Sequence, residues 1–265
     1  MVITFDRHPR ELLCTDWRPQ LLTSLQEKEQ LLAQTGVDRL VVLPFDRRMA
    51  SLSAYDFMRQ VLGKQLGVRL LLTGYDNRFG HRSPDSQEGF DDYVDYGHQL
   101  GIDVVCASGI EVDDDYVSSS RIRKLLADGQ VAEAARCLGR CYQLQGVVEH
   151  GEQQGRQIGF PTANLRLKFD NAVVPRHGVY AVRIQLASTL LTGMTNIGTR
   201  PTFDGHRLTI ETHIFDFSND IYGQPLSIEF VERLRDEQAF STVDALAHQM
   251  ALDAEQAKQI LSHTI

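Results

Sequence analysis

The sequence contains few cysteines and no arrangement of them that is typical of a metal site. Cys14, Cys106, Cys137 and Cys141 form no CxxC pair, and no histidine cluster lies beside them. Structural zinc sites use paired cysteine and histidine ligands at short spacings, so a zinc-binding domain is not expected. Isolated thiols of this kind are typical of proteins in a reducing compartment.

Long apolar runs, a signal peptide and a basic stripe are also missing. No apolar run approaches the roughly 18 residues that a membrane helix needs, and Met1 is followed at once by the strand-like VITF. The formal net charge is −8, whereas proteins that bind the nucleic-acid backbone usually carry a basic stripe. We therefore expect a cytoplasmic protein whose partners include neither a membrane nor a nucleic acid.

The composition that remains is that of an ordinary globular protein. Apolar residues make up 42% and charged residues 23% of the 265 residues, which is enough to bury a sizeable core. The length fits one large domain or two ordinary ones. Because the sequence pattern changes near residue 140, we predict two domains, residues 1–140 and 141–265.

The first domain shows alternating strand and helix patterns. Ser24 and Glu27 form an S-x-x-E capping box that predicts the start of one helix, and Gly36 predicts its end. Further helices are predicted to end near Gly67 and at Gly101. The strand-like runs are VITF (2–5), RLVVLPF (39–45), VRLLLTG (68–74) and IDVVCAS (102–108). This order predicts an α/β, Rossmann-like domain with a parallel sheet, and the apolar runs VVL and LLL predict strands buried on both faces.

The second domain shows strand patterns separated by turns, after two helical stretches at 119–129 and 131–139. From Tyr142 the strand-like runs are YQLQGVVEH, GVYAVRIQL, LTIETHIFDF and LSIEFVERL. The loops between them are rich in glycine, proline and threonine, which predicts a small antiparallel β-barrel. From Ser241 the pattern is helical again and predicts a C-terminal helix.

The segment HGEQQGRQIGFPTANLRL carries a candidate phosphate loop. Gly151, Gly155 and Gly159 are four residues apart, and glycine allows backbone amides to approach a ligand closely. Thr162 and Asn164 supply oxygen atoms, which suit the Mg²⁺ that accompanies ATP. The segment is not a P-loop, since the G-x-x-x-x-G-K-[ST] pattern is missing. Its spacing alone fits a glycine-rich hairpin with a proline turn equally well.

The same segment resembles the signature of riboflavin kinases. Five later segments match, in order and spacing, the kinase module of the bacterial bifunctional riboflavin kinase/FMN adenylyltransferase family. They are GVYAV (178–182), NIGTRPTF (196–203), IETHIFDF (210–217), DIYGQPLSIEF (220–230) and LRDEQAF (234–240). The resemblance covers residues 142–250 and implies that the substrates are riboflavin and ATP and that the product is FMN.

The resemblance implies a role for individual residues. Thr162 and Asn164 would hold Mg²⁺ and the ATP phosphates, and the loop Gly155–Gly159 would close over the nucleotide. Glu211 would be the general base that takes the proton from the ribityl 5′-hydroxyl, which is how phosphoryl transfer orients its nucleophile. Arg235 would line the flavin side of the site.

The residues alone leave structural alternatives open. Without the resemblance, Glu211 is an outward-facing strand carboxylate and Arg235 is a solvated surface charge. His150 and His213 lie in the same motifs, but a histidine on a barrel strand is more often packed than catalytic. Neither histidine is assigned a role.

The first domain resembles the FMN adenylyltransferase module of the same family. The matching segments are FDRHPRELL (5–13), GYDNRFGH (74–81) and VSSSRIRKLL (117–126). The second of these resembles a G-x-D-x-x-F-G loop that contacts flavin, which implies flavin contacts for Asp76, Asn77 and Phe79.

The third segment resembles the second nucleotidyltransferase motif. Ser119, Ser120 and Arg123 would meet ATP phosphates at the N-terminus of a helix, where backbone amides and the helix dipole attract anions. The alternative is a plain serine cap on a surface helix.

The first catalytic motif of that module is missing from the sequence. The family carries G-x-F-D-G-x-H-x-G-H on a first strand and helix, whereas no H-x-G-H occurs here. The first strand of a doubly wound sheet is typically central. Either the start of the chain lies upstream or the chain is a short form, and the intact GYDNRFGH and SSSRIR segments favour the first explanation. We expect FMN synthesis, while FAD synthesis by this chain alone is a separate hypothesis.

Three alternative functions remain. One is a fully bifunctional enzyme that also makes FAD, the second is a non-enzymatic flavin-binding regulator, and the third is a nucleotidyltransferase for another small molecule. The complete set of Thr162, Asn164 and Glu211 argues for a kinase, because a pure binding protein would not need it.

Overall fold

The computed structural model describes residues 1–13, 18–74, 79–81, 88–151, 155, 158–202 and 205–263. Contacts divide the chain into two compact units. The first comprises Met1–Pro19 and Thr23–Tyr116, and the second comprises Gln20–Leu22 and Val117–Ile265. Leu21 lies with the second unit because it forms a parallel bridge with Ala172.

The longer strands of the first unit form two parallel pairs. β1 (Val2–Phe5) pairs with β2 (Leu40–Leu43), and β3 (Leu70–Gly74) pairs with β4 (Asp103–Ala107). A short antiparallel pair follows, β5 (Glu111–Val112) and β6 (Asp115–Tyr116). Within the described part of this unit no ladder joins the two parallel pairs. The predicted α/β class is confirmed.

The apolar run of β3 is buried on one face only. Leu70 and Leu72 are 60% and 65% exposed, and Val105, which lies opposite Leu72, is 45% exposed. Leu71 and Val104 pack against the core of the unit. The predicted burial of LLL on both faces is therefore wrong, because the described part of the chain leaves the outer face of this pair open to solvent.

Most helix ends of the first unit lie where their capping residues predict, although the helix that starts after Ser24 ends at Ala33 and not at the predicted Gly36. Ser24 and Glu27 form the predicted capping box, in which the Ser24 amide donates to Glu27 Oε2 at 2.7 Å. Gly101 ends another helix in the left-handed conformation, with a φ of 68°. The helices are α1 (Pro9–Leu13), α2 (Leu25–Ala33), α3 (Arg47–Ala50), α4 (Ala54–Asp56), which continues as a π-helix (Phe57–Gln65), and α5 (Phe90–Leu100).

Six antiparallel strands of the second unit form a closed barrel, which confirms the predicted architecture. Alternate residues of each strand point inward, and Leu144, Ile184 and Ile228 are among the fully buried core residues. The order around the barrel is β10-β11-β8-β7-β12-β9. The strands are β7 (Tyr142–Glu149), β8 (Ala163–Leu167), β9 (Gly178–Leu186), β10 (Thr189–Thr202), β11 (Gly205–Ile214) and β12 (Pro225–Arg235).

Two helices before residue 140 pack with the barrel. These are α6 (Ser119–Ala127) and α7 (Val131–Leu138). Their apolar residues Ile122, Leu126 and Val131 belong to the same core as the inward-pointing strand residues. Contacts therefore divide the chain between residues 116 and 117, while the boundary near residue 140 stays a prediction about functional domains.

A long C-terminal helix, α8 (Val243–His263), covers part of the outer surface of the barrel. Its buried residues Ala257 and Leu261 pack against Met194 and Phe215, which point away from the barrel core. The predicted C-terminal helix is confirmed. No described helix is long and apolar enough to cross a membrane.

Candidate active site

Strand register brings three polar side chains together on the outside of the barrel. Glu211 of β11 lies directly opposite Asn164 of β8 on one side and Asn196 of β10 on the other. Residues directly opposite in antiparallel strands share a face and lie about 5 Å apart at Cβ. The neighbouring Ile210 points into the barrel core, so Glu211 points outward, towards a cavity that Met250 of α8 also lines.

The carboxylate of Glu211 has a neighbour at each oxygen. Thr162 Oγ1 lies 3.5 Å from Oε2, a distance at the long limit of a hydrogen bond. The guanidinium of Arg200 forms an ion pair with Oε1, with 2.7 Å between Nη2 and Oε1. Because the Glu211 side chain is only 18% exposed, these contacts restrict its orientation.

Two cavities meet at Thr162. The Glu211 cavity, of about 360 Å³, is lined by residues that include Glu211 and Arg235. The Tyr222 cavity, of about 340 Å³, is lined by residues that include Phe217 and Tyr222. Thr162 is the one described residue that lines both. A transfer between two substrates needs a compartment for each and a shared point between them, and this arrangement provides both.

The glycine loop is held by its own backbone. Gly155 accepts hydrogen bonds at its carbonyl from the amides of Ile158 and Phe160, at 3.2 and 2.9 Å. A Cβ at Gly155 would overlap the carbonyl oxygen of Phe160, and Gly159 adopts a φ of 84°. Residues 152–154 and 156–157 of the predicted loop lie outside the described residues. The role of Gly155 and Gly159 in binding ATP stays a prediction.

Histidine and aromatic rings support both cavities. His213 Nδ1 lies 2.9 Å from the carbonyl oxygen of Pro161, and its ring meets Phe160 edge to face. This contact fixes the backbone that precedes Thr162. His150 stacks on Tyr222 with 3.7 Å between ring centroids. Both unassigned histidines therefore have packing contacts beside the site.

The donor atoms at Thr162 and Asn164 fit a magnesium ion that arrives with a nucleotide. A hydroxyl and an amide oxygen are hard ligands of the kind that Mg²⁺ prefers, and Mg²⁺ normally keeps phosphate and water ligands as well. No group of three or more His, Cys, Asp or Glu that could hold a metal ion occurs among the described residues, and Cys14 lies outside them. The set suits a metal shared with ATP better than a resident ion in a carboxylate cage.

Arg235 lies at the Glu211 cavity, but its guanidinium is bound to α8. Nε and Nη2 donate to Asp253 at 2.9 and 2.6 Å, and Asp253 is 3% exposed. Gln249 also donates to Asp253, and Arg235 Nη1 donates to the Asp236 carbonyl. A hydrogen bond from Arg233 lowers the pKa of the Asp236 side chain. Arg235 thus joins β12 to α8, and its contact with flavin stays a prediction.

The predicted flavin loop of the first unit is described only in part. Asp76 and Asn77 lie outside the described residues. Phe79 stacks on Tyr93 with 4.3 Å between centroids and lies 5.7 Å from the ring of Phe57, so its ring packs against the core of the first unit. Its flavin contact stays a prediction.

The predicted phosphate-binding helix starts where expected. Ser119 and Ser120 are the first two residues of α6, and Ser118 is the cap, since its Oγ accepts from the Arg121 amide at 3.2 Å. Arg123 Nε donates to the carbonyl of Gln20 at 2.6 Å. The helix belongs to the second unit, and phosphate binding by these residues stays a prediction.

Sequence reasoning missed Arg200, Asn196 and Glu237 as residues of the site. All three line the Glu211 cavity. Arg200 and Asn196 occur in NIGTRPTF, and Glu237 occurs in LRDEQAF. The resemblance therefore singled out these segments but assigned no role to the three residues. The pairing of β10 with β11 was needed to place these side chains beside Glu211, and no local pattern specifies that register.

The sequence matches two protein-family models in succession. Residues 1–121 match the family described as FAD synthetase, and residues 138–261 match the family described as riboflavin kinase. Both modules expected from the motifs are therefore present.

Similar proteins match along nearly the whole chain. The bifunctional riboflavin kinase/FMN adenylyltransferase of Escherichia coli strain K12 is 38% identical over 100% of this chain and 83% of its own length. The protein of the same description from Bacillus subtilis strain 168 is 35% identical over 99% and 82%. The crystal structure of a macrolide-efflux protein from Streptococcus pneumoniae has a TM-score of 0.87 and 33% identity, and the match covers 97% of this chain and 82% of that chain.

Proposed function

This chain belongs to the bacterial bifunctional riboflavin kinase/FMN adenylyltransferase family, and we propose that its barrel transfers the γ-phosphate of ATP to the 5′-hydroxyl of riboflavin. The products are FMN and ADP. The observation that carries the proposal is the meeting of two cavities at Thr162, with Glu211 beside it in one of them. The flavin occupies the Glu211 cavity and the nucleotide occupies the Tyr222 cavity. Gly155 lines the Glu211 cavity, so the Gly155–Gly159 loop closes over the γ-phosphate where the two substrates meet. The boundary of this functional domain lies near residue 140.

Glu211 acts as the general base. Its carboxylate accepts the proton of the 5′-hydroxyl as that oxygen forms a bond to the γ-phosphorus, while the bond to the β,γ-bridging oxygen breaks and ADP leaves. Little covalent chemistry is required of the protein in such a transfer, so position and charge dominate. The outward direction of Glu211 and its place next to Thr162 support this role.

Thr162, at the junction of the cavities, and Asn164, opposite Glu211, would hold the phosphates of ATP together with Mg²⁺. Magnesium supplies positive charge against the phosphate oxygens when it is bound with ATP. The proximity of Asn164 to Glu211 across β8 and β11 supports a single site for base and phosphate ligands.

Substitution of two site residues, one at a time, tests the kinase proposal. Glu211→Gln and Thr162→Ala should each lower the rate of FMN formation by at least about tenfold, because a positioned base typically contributes about 10²–10⁴-fold. Product is measured by chromatography, and thermal melting confirms the fold. Glu149→Gln is the matched control, because Glu149 lies on the other side of Asn164 and pairs with Arg207 and Arg166. Near-wild-type rates of FMN formation in both site variants would contradict the kinase proposal. If the unaltered protein binds riboflavin but forms no FMN, a flavin-binding regulator is favoured.

The FAD synthetase module does not make FAD in this chain alone. The sequence contains no H-x-G-H, and those histidines polarise the ATP α-phosphate in the family. The helix that begins at Ser119 keeps an anion-attracting N-terminus, which supports nucleotide binding without adenylyl transfer.

A further inference from the structure

Arg200 is the cation that contacts the candidate base. Its Nη2 lies 2.7 Å from Glu211 Oε1, and the two side chains are 35% and 18% exposed. Ion pairs between fully exposed side chains contribute little because water screens them. This pair lies in a cavity wall, where screening is weaker and the geometry is better defined.

The register of β10 and β11 makes this contact specific. The residue directly opposite Glu211 is Asn196, whereas Arg200 lies four residues further along β10, opposite Arg207. The two neighbouring arginines contact different carboxylates, since Arg200 pairs with Glu211 and Arg207 pairs with Glu149. Arg200 therefore extends along the strand to reach the site, while its neighbour reaches a carboxylate outside the cavity.

The space between Arg200 and Asn196 is occupied by a second carboxylate. Gly198 lies between them on β10, and a Cβ there would overlap Oε1 of Glu237. Asn196 Nδ2 donates to the same oxygen at 3.4 Å. The absence of a side chain at Gly198 thus lets Glu237 pack beside the strand, which limits where the Arg200 side chain can lie.

We propose that Arg200 is a positioning residue for Glu211: it binds Oε1 and so turns Oε2 towards Thr162, where the acceptor hydroxyl lies during transfer. This inference rests on the proposed role of Glu211 as base. A carboxylate without such a partner rotates freely about its last torsion, which is broad. The guanidinium removes that freedom, because it holds one carboxylate oxygen by a charge-assisted hydrogen bond.

A direct role of Arg200 in binding the ATP phosphates would have different kinetic consequences. An arginine that bound the nucleotide would act whether or not Glu211 were ionisable, and its loss would raise the KM for ATP. A residue that acts through Glu211 lowers kcat and has no effect once Glu211 cannot accept a proton. The two roles are therefore separable by a double-mutant cycle.

Four proteins are compared by steady-state kinetics: the unaltered chain, Arg200→Ala, Glu211→Gln and the double variant. Arg200→Ala should lower kcat for FMN formation about tenfold or more, with the KM values for riboflavin and ATP changed by less than about threefold. Glu237, His213, Arg235 and Asp253 also line the cavity, and all four are retained in every variant.

The double variant and two further substitutions complete the test. Adding Arg200→Ala to Glu211→Gln should cause no further loss of kcat. Arg200→Lys keeps the charge and should restore only part of kcat, because lysine lacks the planar fork. Arg207→Ala, opposite Arg200 but paired with Glu149, should leave kcat and both KM values unchanged. Thermal melting confirms that each variant is folded.

Three results would overturn the inference. They are an unchanged kcat in folded Arg200→Ala, a raised KM for ATP with kcat retained, or losses of kcat that multiply in the double variant. Failure of the proposed function has a different signature, since Glu211→Gln would then keep near-wild-type activity by itself.

Discussion

At the scale of single residues, the site depends on small side chains as much as on reactive ones. Gly151 shows this, because a Cβ there would overlap Nδ2 and Cγ of Asn164. The glycine therefore leaves the space that the Asn164 amide fills. Its effect on the site is steric, whereas the sequence pattern predicts a phosphate-binding role from the regular spacing of three glycines.

Gly151→Ala should lower FMN formation at least about fivefold, because the added methyl group displaces the Asn164 amide from the site. Steady-state kinetics measures this effect, and chemical denaturation confirms that the variant is folded. Asn164→Ala should lower activity to a similar extent, and combining the two substitutions should add little, because both remove the same amide from the site. Wild-type kinetics in Gly151→Ala would mean that the position of Asn164 does not matter.

Which residues were found from sequence depends on whether a local motif specifies them. Thr162 and Glu211 are carried by segments with a recognisable pattern, and the structure places them beside each other. Arg200 belongs to a matching segment too, but its partner is set by strand register. Asp253 occurs in a helix without any motif, and its pairing with Arg235 spans two elements. Contacts of this kind need the fold.

At the scale of elements, α8 is fixed to the barrel by one buried ion pair and an apolar face. Arg235 and Asp253 form the pair, at 16% and 4% side-chain exposure. Leu246 and Met250 of the same helix line the Glu211 cavity. The pair therefore connects the stability of the helix to the shape of the cavity.

Asp253→Ala should lower the free energy of unfolding by about 3–5 kcal/mol, because it leaves the Arg235 guanidinium without its buried partner. It should also raise the KM for riboflavin more than the KM for ATP, since α8 lines only the Glu211 cavity among the two. Chemical denaturation and steady-state kinetics provide both readouts. Glu255→Ala, an exposed position of the same helix, should change stability by less than about 0.5 kcal/mol. Equal KM changes for both substrates would contradict the proposed allocation of the cavities.

Helix ends were predictable from the sequence, while strand pairing and the form of the helix after Asp56 were not. The capping box at Ser24 and the left-handed Gly101 are local features, and local chemistry determines them. The π-helix of Phe57–Gln65 has the same apolar periodicity as an α-helix over its short length. Exposure of Leu70 depends on which elements cover β3, and that is not encoded in the run LLL.

At the scale of the whole molecule, two family modules occupy one chain, and contacts divide it differently from the sequence pattern. The pattern changes near residue 140, where barrel strands begin. Contacts change between residues 116 and 117 because α6 and α7 add their apolar faces to the barrel core. An amphipathic helix shows from sequence that it has a buried face but not which core buries it. The bridge between Leu21 and Ala172 likewise cannot be predicted from any local sequence pattern.

Phosphate label followed from ATP into flavin tests the central claim most directly. Purified chain is incubated with riboflavin and ATP labelled at either the γ- or the α-phosphate, and the flavins are separated. We predict that the γ-label appears in FMN, because the barrel carries the site for phosphoryl transfer to riboflavin. We predict that no α-label appears in FAD, because the sequence contains no H-x-G-H. If folded protein forms no γ-labelled FMN, the kinase assignment is contradicted. If α-label appears in FAD, the proposal that the first module does not transfer adenylyl groups is contradicted.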